Sequence, residues 1–241
     1  MKAPPLDPVP VHVWAASLQT AGEAWADLRV ELAPDERARA DRFHTPQLQR
    51  RFVVARAILR RLLAAYARVD AAALRIGYGK HGKPFLLDAP EIRFNVSHAD
   101  DAAIYAIASE REVGIDIEAT GRNVEIAGVA RHAFSSHECE VLTALAPDAR
   151  REAIFRIWTR KEAYIKARGE GFSCPTRSFS VLHRDDVVPI GDALIGDTRD
   201  ATATDRWRVT GLDAPPGFAA ALGAEGRDWT VLRCGTAGLP S

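Results

Sequence analysis

Three carboxylates stand out by type and spacing. Asp116 and Glu118 lie two residues apart in Val113-Gly114-Ile115-Asp116-Ile117-Glu118, and Glu162 lies in Trp158-Thr159-Arg160-Lys161-Glu162. Successive side chains of a strand alternate between faces, so Asp116 and Glu118 point one way and Val113, Ile115 and Ile117 the other. Gly114 shares the carboxylate face and adds no bulk, which leaves the backbone open to close approach by a ligand. Alone, such an Asp-x-Glu pair is the ordinary polar face of a half-exposed sheet. Glu162 changes the balance. Ile154, Phe155, Trp158, Glu162 and Ile165 recur at helical spacings, so Glu162 sits inside an apolar stripe where an unpaired charge is costly. It needs a cation, and either Lys166 one turn later or a bound metal would serve. Asp116, Glu118 and Glu162 therefore read as one divalent-metal site.

Three carboxylates without a His or Cys ligand cluster favour a hard cation, magnesium before manganese or calcium. Cys139, Cys174 and Cys234 are odd in number and far apart, as free thiols are, and form neither a disulfide framework nor a zinc pattern. Magnesium keeps waters and shares phosphate oxygens, so a phosphate-bearing substrate is expected. Lys80, Lys83, Lys161 and Lys166 supply cations for it, and Ser97 and His98 hydrogen-bond donors. This chemistry is the transfer of a phosphate-linked group. The same residues also fit a magnesium-dependent phosphohydrolase, or a binding module that has lost catalysis.

The elements that must position these residues are legible in outline. The 241 residues are 47% hydrophobic and 27% charged, enough for a large core. Lys plus Arg and Asp plus Glu both number 32, so no global field draws the chain to nucleic acid or membrane, and an anion site must be local. Met1 to Pro10 lacks the apolar run of a signal peptide and no later stretch is long enough to span a membrane, so a cytoplasmic protein is expected. Strand patterns cover Val11–Trp14, Ile92–Val96, Ala103–Ala108 and Val113–Ile117, then Ser178–Leu182, Trp207–Thr210 and Gly217–Leu222. Helices are predicted over Ala21–Val30, from Pro34, over Leu48–Ala67, from a Ser135/Glu138 capping box to about Leu145, and from after Asp148 to about Arg168. The Leu48–Ala67 helix pairs an apolar face with Arg50, Arg51, Arg56, Arg60 and Arg61, which predicts a positively charged face.

The order repeats: a long helix, a Gly-containing loop, a strand, then an Ala-rich strand, at Ala102–Ala108 and again at Phe218–Leu222. This predicts an α/β (α+β) fold of two pseudo-symmetric halves, 1–119 and 120–241, joined near Ala119 to Asn123. Each half is a long helix on a small, mostly antiparallel sheet, with the active site in the cleft between them.

Gly82-Lys83-Pro84 with Phe94-Asn95-Val96-Ser97-His98, the Val113 to Glu118 strand, and Trp158-Thr159-Arg160-Lys161-Glu162-Ala163-Tyr164-Ile165-Lys166 together resemble the 4'-phosphopantetheinyl transferase superfamily, in its longer Sfp-type branch. The likeness runs from about Leu32 to Leu222 and leaves out the tail after Arg227. It implies transfer of the phosphopantetheine arm of coenzyme A to a serine of an apo acyl, peptidyl or aryl carrier protein, releasing adenosine 3',5'-bisphosphate, by a monomer. By matching positions, Asp116, Glu118 and Glu162 would hold magnesium at the pyrophosphate and Lys166 would neutralise its oxygens. Lys83, Ser97 and His98 would bind the nucleotide end and phosphates, and Arg51 and Arg39 the 3'-phosphate region. Glu36 stands where some relatives carry a basic residue, which implies one phosphate contact fewer, with Arg37, Arg39 and Arg42 nearby. Glu162 is the candidate base toward the acceptor serine. An acidic carrier calls for a basic and apolar rim, for which Arg122, Arg131 and Phe134 are candidates.

Overall fold

Two helices of 22 residues organise the chain, and both obey the same local rules. The computed structural model describes residues 3–7, 9–19, 24–121, 128, 132–182, 192–193 and 195–236. Its helices are α1 (Pro34–Ala40), α2 (Pro46–Ala67), α3 (Ser136–Ala144), α4 (Pro147–Arg168) and α5 (Ala203–Arg206). Each long helix opens on a proline, whose missing N–H is no loss there, and closes on a left-handed residue, Arg68 after α2 and Gly169 after α4. The Ser135/Glu138 capping box starts α3 as predicted. The helical segment expected over Ala21–Val30 is a 3-10 helix over Ala24–Glu31.

The strands are β1 (Pro10–Ser17), β2 (Ile76–Tyr78), β3 (Pro84–Leu86), β4 (Ile92–Ala99), β5 (Ala102–Ser109), β6 (Val113–Ala119), β7 (Phe179–Ser180), β8 (Asp192–Ala193), β9 (Gly196–Asp197), β10 (Trp207–Leu212), β11 (Phe218–Glu225) and β12 (Thr230–Thr236). They form two four-stranded sheets in the orders β12-β1-β5-β4 and β6-β11-β10-β8, antiparallel except for the parallel β1/β12 pair. The Ala-rich β5 and β11 hold corresponding inner positions and share one burial pattern. β6 hydrogen-bonds into the second sheet, and β12 returns to the first.

Side-chain alternation explains the layers. On the first sheet Trp14, Ala103, Tyr105 and Ile107 face α2, against Val53, Val54, Ile58 and Leu62. Its other face, Val11, Ile104, Ala106 and Ala108, packs on Val113, Ile115, Ile117, Ala220, Leu222 and Ala224 of the second sheet. A separate core under α4 gathers Phe134, Ile157, Tyr164, Trp207 and Val209.

The predicted positive face of α2 is not an open one, because carboxylates meet its arginines. Arg50 and Arg51 reach Asp101, Arg56 and Arg60 reach Glu36, and Arg61 reaches Glu31. Glu36 also accepts from Ala33 N–H at 2.8 Å, capping α1, and is buried. The residue at this position is thus a cap and a counter-ion.

The two halves share a device that local pattern does not reveal. Arg60 and Lys161 are each the fifteenth residue of their long helix and each is fully buried. Each pairs with the glutamate at the third position of the preceding short helix: Arg60 with Glu36 at 3.2 Å, Lys161 with Glu138 at 2.8 Å. Each also donates to two carbonyls beyond its own helix, of Ala72 and Leu74 in one half and of Thr176 and Phe179 in the other. One ion pair per half therefore ties short helix, long helix and the following loop together.

Gly114 corrects another expectation. A β-carbon added there would lie 2.2 Å from Ala163 O and Ala167 N, so the backbone that approaches β6 is that of α4, not a ligand's. Gly114→Ala is expected to lower unfolding stability by about 3 kcal/mol in urea denaturation, while Gly196→Ala, where an added carbon meets open space, should change it by less than about 0.5 kcal/mol. Equal midpoints for the two variants would show that α4 accommodates the methyl.

Candidate active site

Helix α4 lies on the carboxylate face of β6, so side chains of both elements meet there. Asp116, on β6, is 3% exposed. Its Oδ1 accepts from Lys166 Nζ at 2.6 Å and from Ser97 Oγ at 2.9 Å. Lys166 Nζ also donates to Ser97 Oγ at 3.0 Å and to the Ile115 carbonyl at 3.3 Å. Asp116 Oδ2 is buried and has no hydrogen-bond partner among the described residues. Burial raises the Asp116 pKa, against the lowering pull of Lys166 and Ser97.

Glu118, two residues on and half-buried, accepts from Trp158 Nε1 at 3.4 Å. Glu162, one turn before Lys166, is pushed up to about 7, first by burial and then by the Asp116 and Glu118 charges, with Lys166 opposing. All three carboxylates and Lys166 thus share one electrostatic field.

Among the described residues, no three His, Cys, Asp or Glu side chains converge as a formed ligand set. Like charges repel, and the Lys166 ammonium satisfies Asp116 instead. The donor set still fits a hard cation, since it offers carboxylate oxygens alone and one of them, Asp116 Oδ2, is buried without a partner.

The remaining expectations divide. Ser97 joins the cluster; His98, the next residue of β4, is exposed on the opposite face. Lys83 is largely buried, and its ammonium is held by Glu112 at 2.5 Å and by the Ala167 carbonyl at 2.6 Å, a cation at the C-terminal end of α4. A cavity of about 240 Å³ opens beside it, lined by Phe85, Arg93, Phe94, Arg168 and Gly169 among others. Arg51 Nε donates to Asp101 at 2.8 Å, three residues past His98. Arg39 is exposed and lies over the Phe52 ring, and Lys80 is exposed on the β2–β3 turn.

Lys161 is no phosphate contact: it is fully buried with Glu138, and burial lowers its pKa. Phe134 is fully buried and cannot form a docking rim. Arg122 and Arg131 lie outside the described residues. Asn95, inside the quoted Phe94 to His98 segment but given no role by sequence reasoning, accepts from Ile115 N–H at 3.0 Å in the buried interior. Its only sequence signal was its place in that segment, two residues before Ser97.

A family model of the 4'-phosphopantetheinyl transferase superfamily matches residues 112–221, and one of the 4'-phosphopantetheinyl transferase N-terminal region matches residues 14–112. The chain is 36% identical over 166 residues to the 4'-phosphopantetheinyl transferase HetI of Nostoc sp., covering 68% of this chain and 70% of that one. It is 32% identical over 160 residues to the 4'-phosphopantetheinyl transferase Sfp of Bacillus subtilis, covering 66% and 70%. The solved holo-(acyl-carrier-protein) synthase of Thermotoga maritima overlaps 48% of this chain and 63% of its own, with 23% identity and a TM-score of 0.39.

Two outcomes follow from the charges. Because the folded-state pKa of Glu162 lies above its ordinary 4.5, the unfolded chain releases that proton first as pH rises. Stability then falls between about pH 4.5 and 7, and the loss is complete above that window. Glu162→Gln is therefore expected to melt higher than wild type at pH 8 with chelator present, by an amount on the order of 2 kcal/mol, and level with it near pH 4.5. Equal melting at pH 8 would mean that the Glu162 carboxylate is not held above its ordinary pKa in the folded chain. Lys161→Met strands the Glu138 charge and should cost about 3–5 kcal/mol in urea denaturation; a loss below about 1 kcal/mol would mean the pair is solvated.

Proposed function

This chain is an enzyme of the 4'-phosphopantetheinyl transferase superfamily, and from that premise we propose that it moves 4'-phosphopantetheine from coenzyme A to a serine of an apo acyl or peptidyl carrier protein, releasing adenosine 3',5'-bisphosphate with magnesium bound. The observation that carries this reading is the joint placement of Lys166, Ser97 and Asp116, with the raised Glu162 beside them. Asp116, Glu118 and Glu162 would hold Mg2+, or Mn2+ in its place. Such an ion, when bound, neutralises pyrophosphate oxygens and makes the bridging phosphate a better leaving group.

The chain's own residues do the rest. The serine hydroxyl attacks the β-phosphorus, the bond to the bridging oxygen breaks, and adenosine 3',5'-bisphosphate leaves with that oxygen. Lys166 supplies positive charge where the leaving oxygen develops negative charge. Glu162, beside Lys166 in the carboxylate cluster, is the base we assign to the serine proton.

At the far end of the coenzyme, His98, Arg51 and Arg39 would meet the nucleotide phosphates, and the cavity beside Lys83 would take the base against Phe85. Lys83 serves there by holding the cavity wall through Glu112 and Ala167. We read the enzyme as cytoplasmic and monomeric, since one chain carries both halves of the cleft. No helix among the described residues is long and apolar enough to cross a membrane.

Intact-protein mass spectrometry of an apo carrier protein incubated with coenzyme A and magnesium should show one added phosphopantetheine, lost when the metal is chelated. Lys166→Met should lower kcat about 100-fold. Release of free 4'-phosphopantetheine and adenosine 3',5'-bisphosphate from coenzyme A with no carrier modified would replace this reading with a hydrolase.

A further inference from the structure

β6 and β4 are edge strands of different sheets, and they lie side by side without a regular ladder. An edge leaves backbone groups that require partners when buried. Two side chains provide them at Ile115. Asn95 Oδ1 accepts the Ile115 N–H at 3.0 Å, and Lys166 Nζ donates to the Ile115 carbonyl at 3.3 Å. That carbonyl belongs to the peptide leading into Asp116. Asn95 and Ser97 share one face of β4, so β4 grips β6 at successive residues: Asn95 holds Ile115, and Ser97 holds Asp116. Both are buried, at 6% and 8% exposure.

We propose that Asn95 is a positioning residue for the transfer reaction: it locks the backbone of β6 against β4, so that Asp116 is presented to its cation and to Lys166 in one orientation. The proposal rests on the reading that Asp116 holds a divalent metal. Among the described residues Asn95 has no hydrogen bond to the carboxylates or to Lys166, and it acts through the Ile115 N–H. Ile92 and Phe94 supply the core packing of β4, so the amide contributes one directed bond rather than bulk. A residue that orients a metal ligand through its backbone commonly sets metal affinity as well as turnover.

The test uses the whole protein. In Asn95→Ala the Ile115 amide should exchange hydrogen at least about 10-fold faster, and the Mn2+ dissociation constant, measured by electron paramagnetic resonance without substrate, should rise about 10-fold. The kcat should fall by a similar factor while KM for the carrier protein stays within about twofold. Unchanged Mn2+ affinity and kcat, with or without faster exchange at Ile115, would overturn the proposal. Asn95→Asp keeps an acceptor oxygen in place and guards against misfolding of the alanine variant: slow exchange at Ile115 supports the lock, and fast exchange overturns it. If the wild type binds Mn2+ but modifies no carrier, the transferase reading fails, while the Mn2+ titration still decides the role of Asn95.

Discussion

The active site depends on how closely α4 lies on β6. At Gly114 the helix backbone occupies the space where any side chain would begin, and Gly223, the β11 partner of Gly114, meets the same Ala163 carbonyl at 3.2 Å from its would-be β-carbon. No side-chain layer separates helix from strand there. Glu162 and Lys166, on either side of that contact, are thereby held over Asp116 and Glu118. The same closeness desolvates the carboxylates, and burial is the leading cause of the raised pKa of both Asp116 and Glu162. Packing therefore produces the electrostatics: a strand–helix contact without side chains creates a group poised near neutral pH and an ammonium held against a buried carboxylate.

The lysines show how position on a helix separates structural from chemical roles. Lys161 and Lys166 lie five residues apart on α4 and point to different surroundings. Lys161 turns into the core, where Glu138 and two carbonyls hold it. Lys166 turns toward β6 and keeps 28% of its side chain exposed, so a substrate oxygen can reach it. Lys83 lies between these extremes, clamping the end of α4 beside an open cavity. A sequence presents all three as phosphate-binding candidates, because residue type reports charge but not partners.

The legible parts of the site were those governed by local period. Alternation along Val113 to Glu118 put both carboxylates on one face, helical spacing put Glu162 in an apolar stripe, and Ser135/Glu138 announced a helix start. Pairings between distant segments were not legible. β12 joins β1 across most of the chain, and a short alternating segment does not name its partner. The same limit hid the crossing of β6 into the second sheet and the carboxylates that meet the α2 arginines. Gly114 was recognised as a place of close approach, but the approaching backbone was α4, since spacing cannot say what approaches. The Ser178–Leu182 pattern yielded a strand of two residues, Phe179–Ser180.

The two long helices share one buried device and differ at the position beside it. At the fifteenth residue of its long helix each half keeps a buried cation, Arg60 or Lys161, tied to a capping glutamate and to carbonyls of the loop beyond. Breaking such a pair strands a buried charge, so the arrangement resists change in both copies. At the next residue the halves part. Arg61 reaches outward to Glu31 at 2.5 Å, whereas Glu162 sits over β6 near two other carboxylates. The first half thus has a cation where the second has the acid. The carboxylates that could hold a metal are assembled by the second long helix and by the strand that crosses into its sheet. The repeated ion pairs hold each long helix in place, and the chemistry occupies the position beside them where the two copies differ.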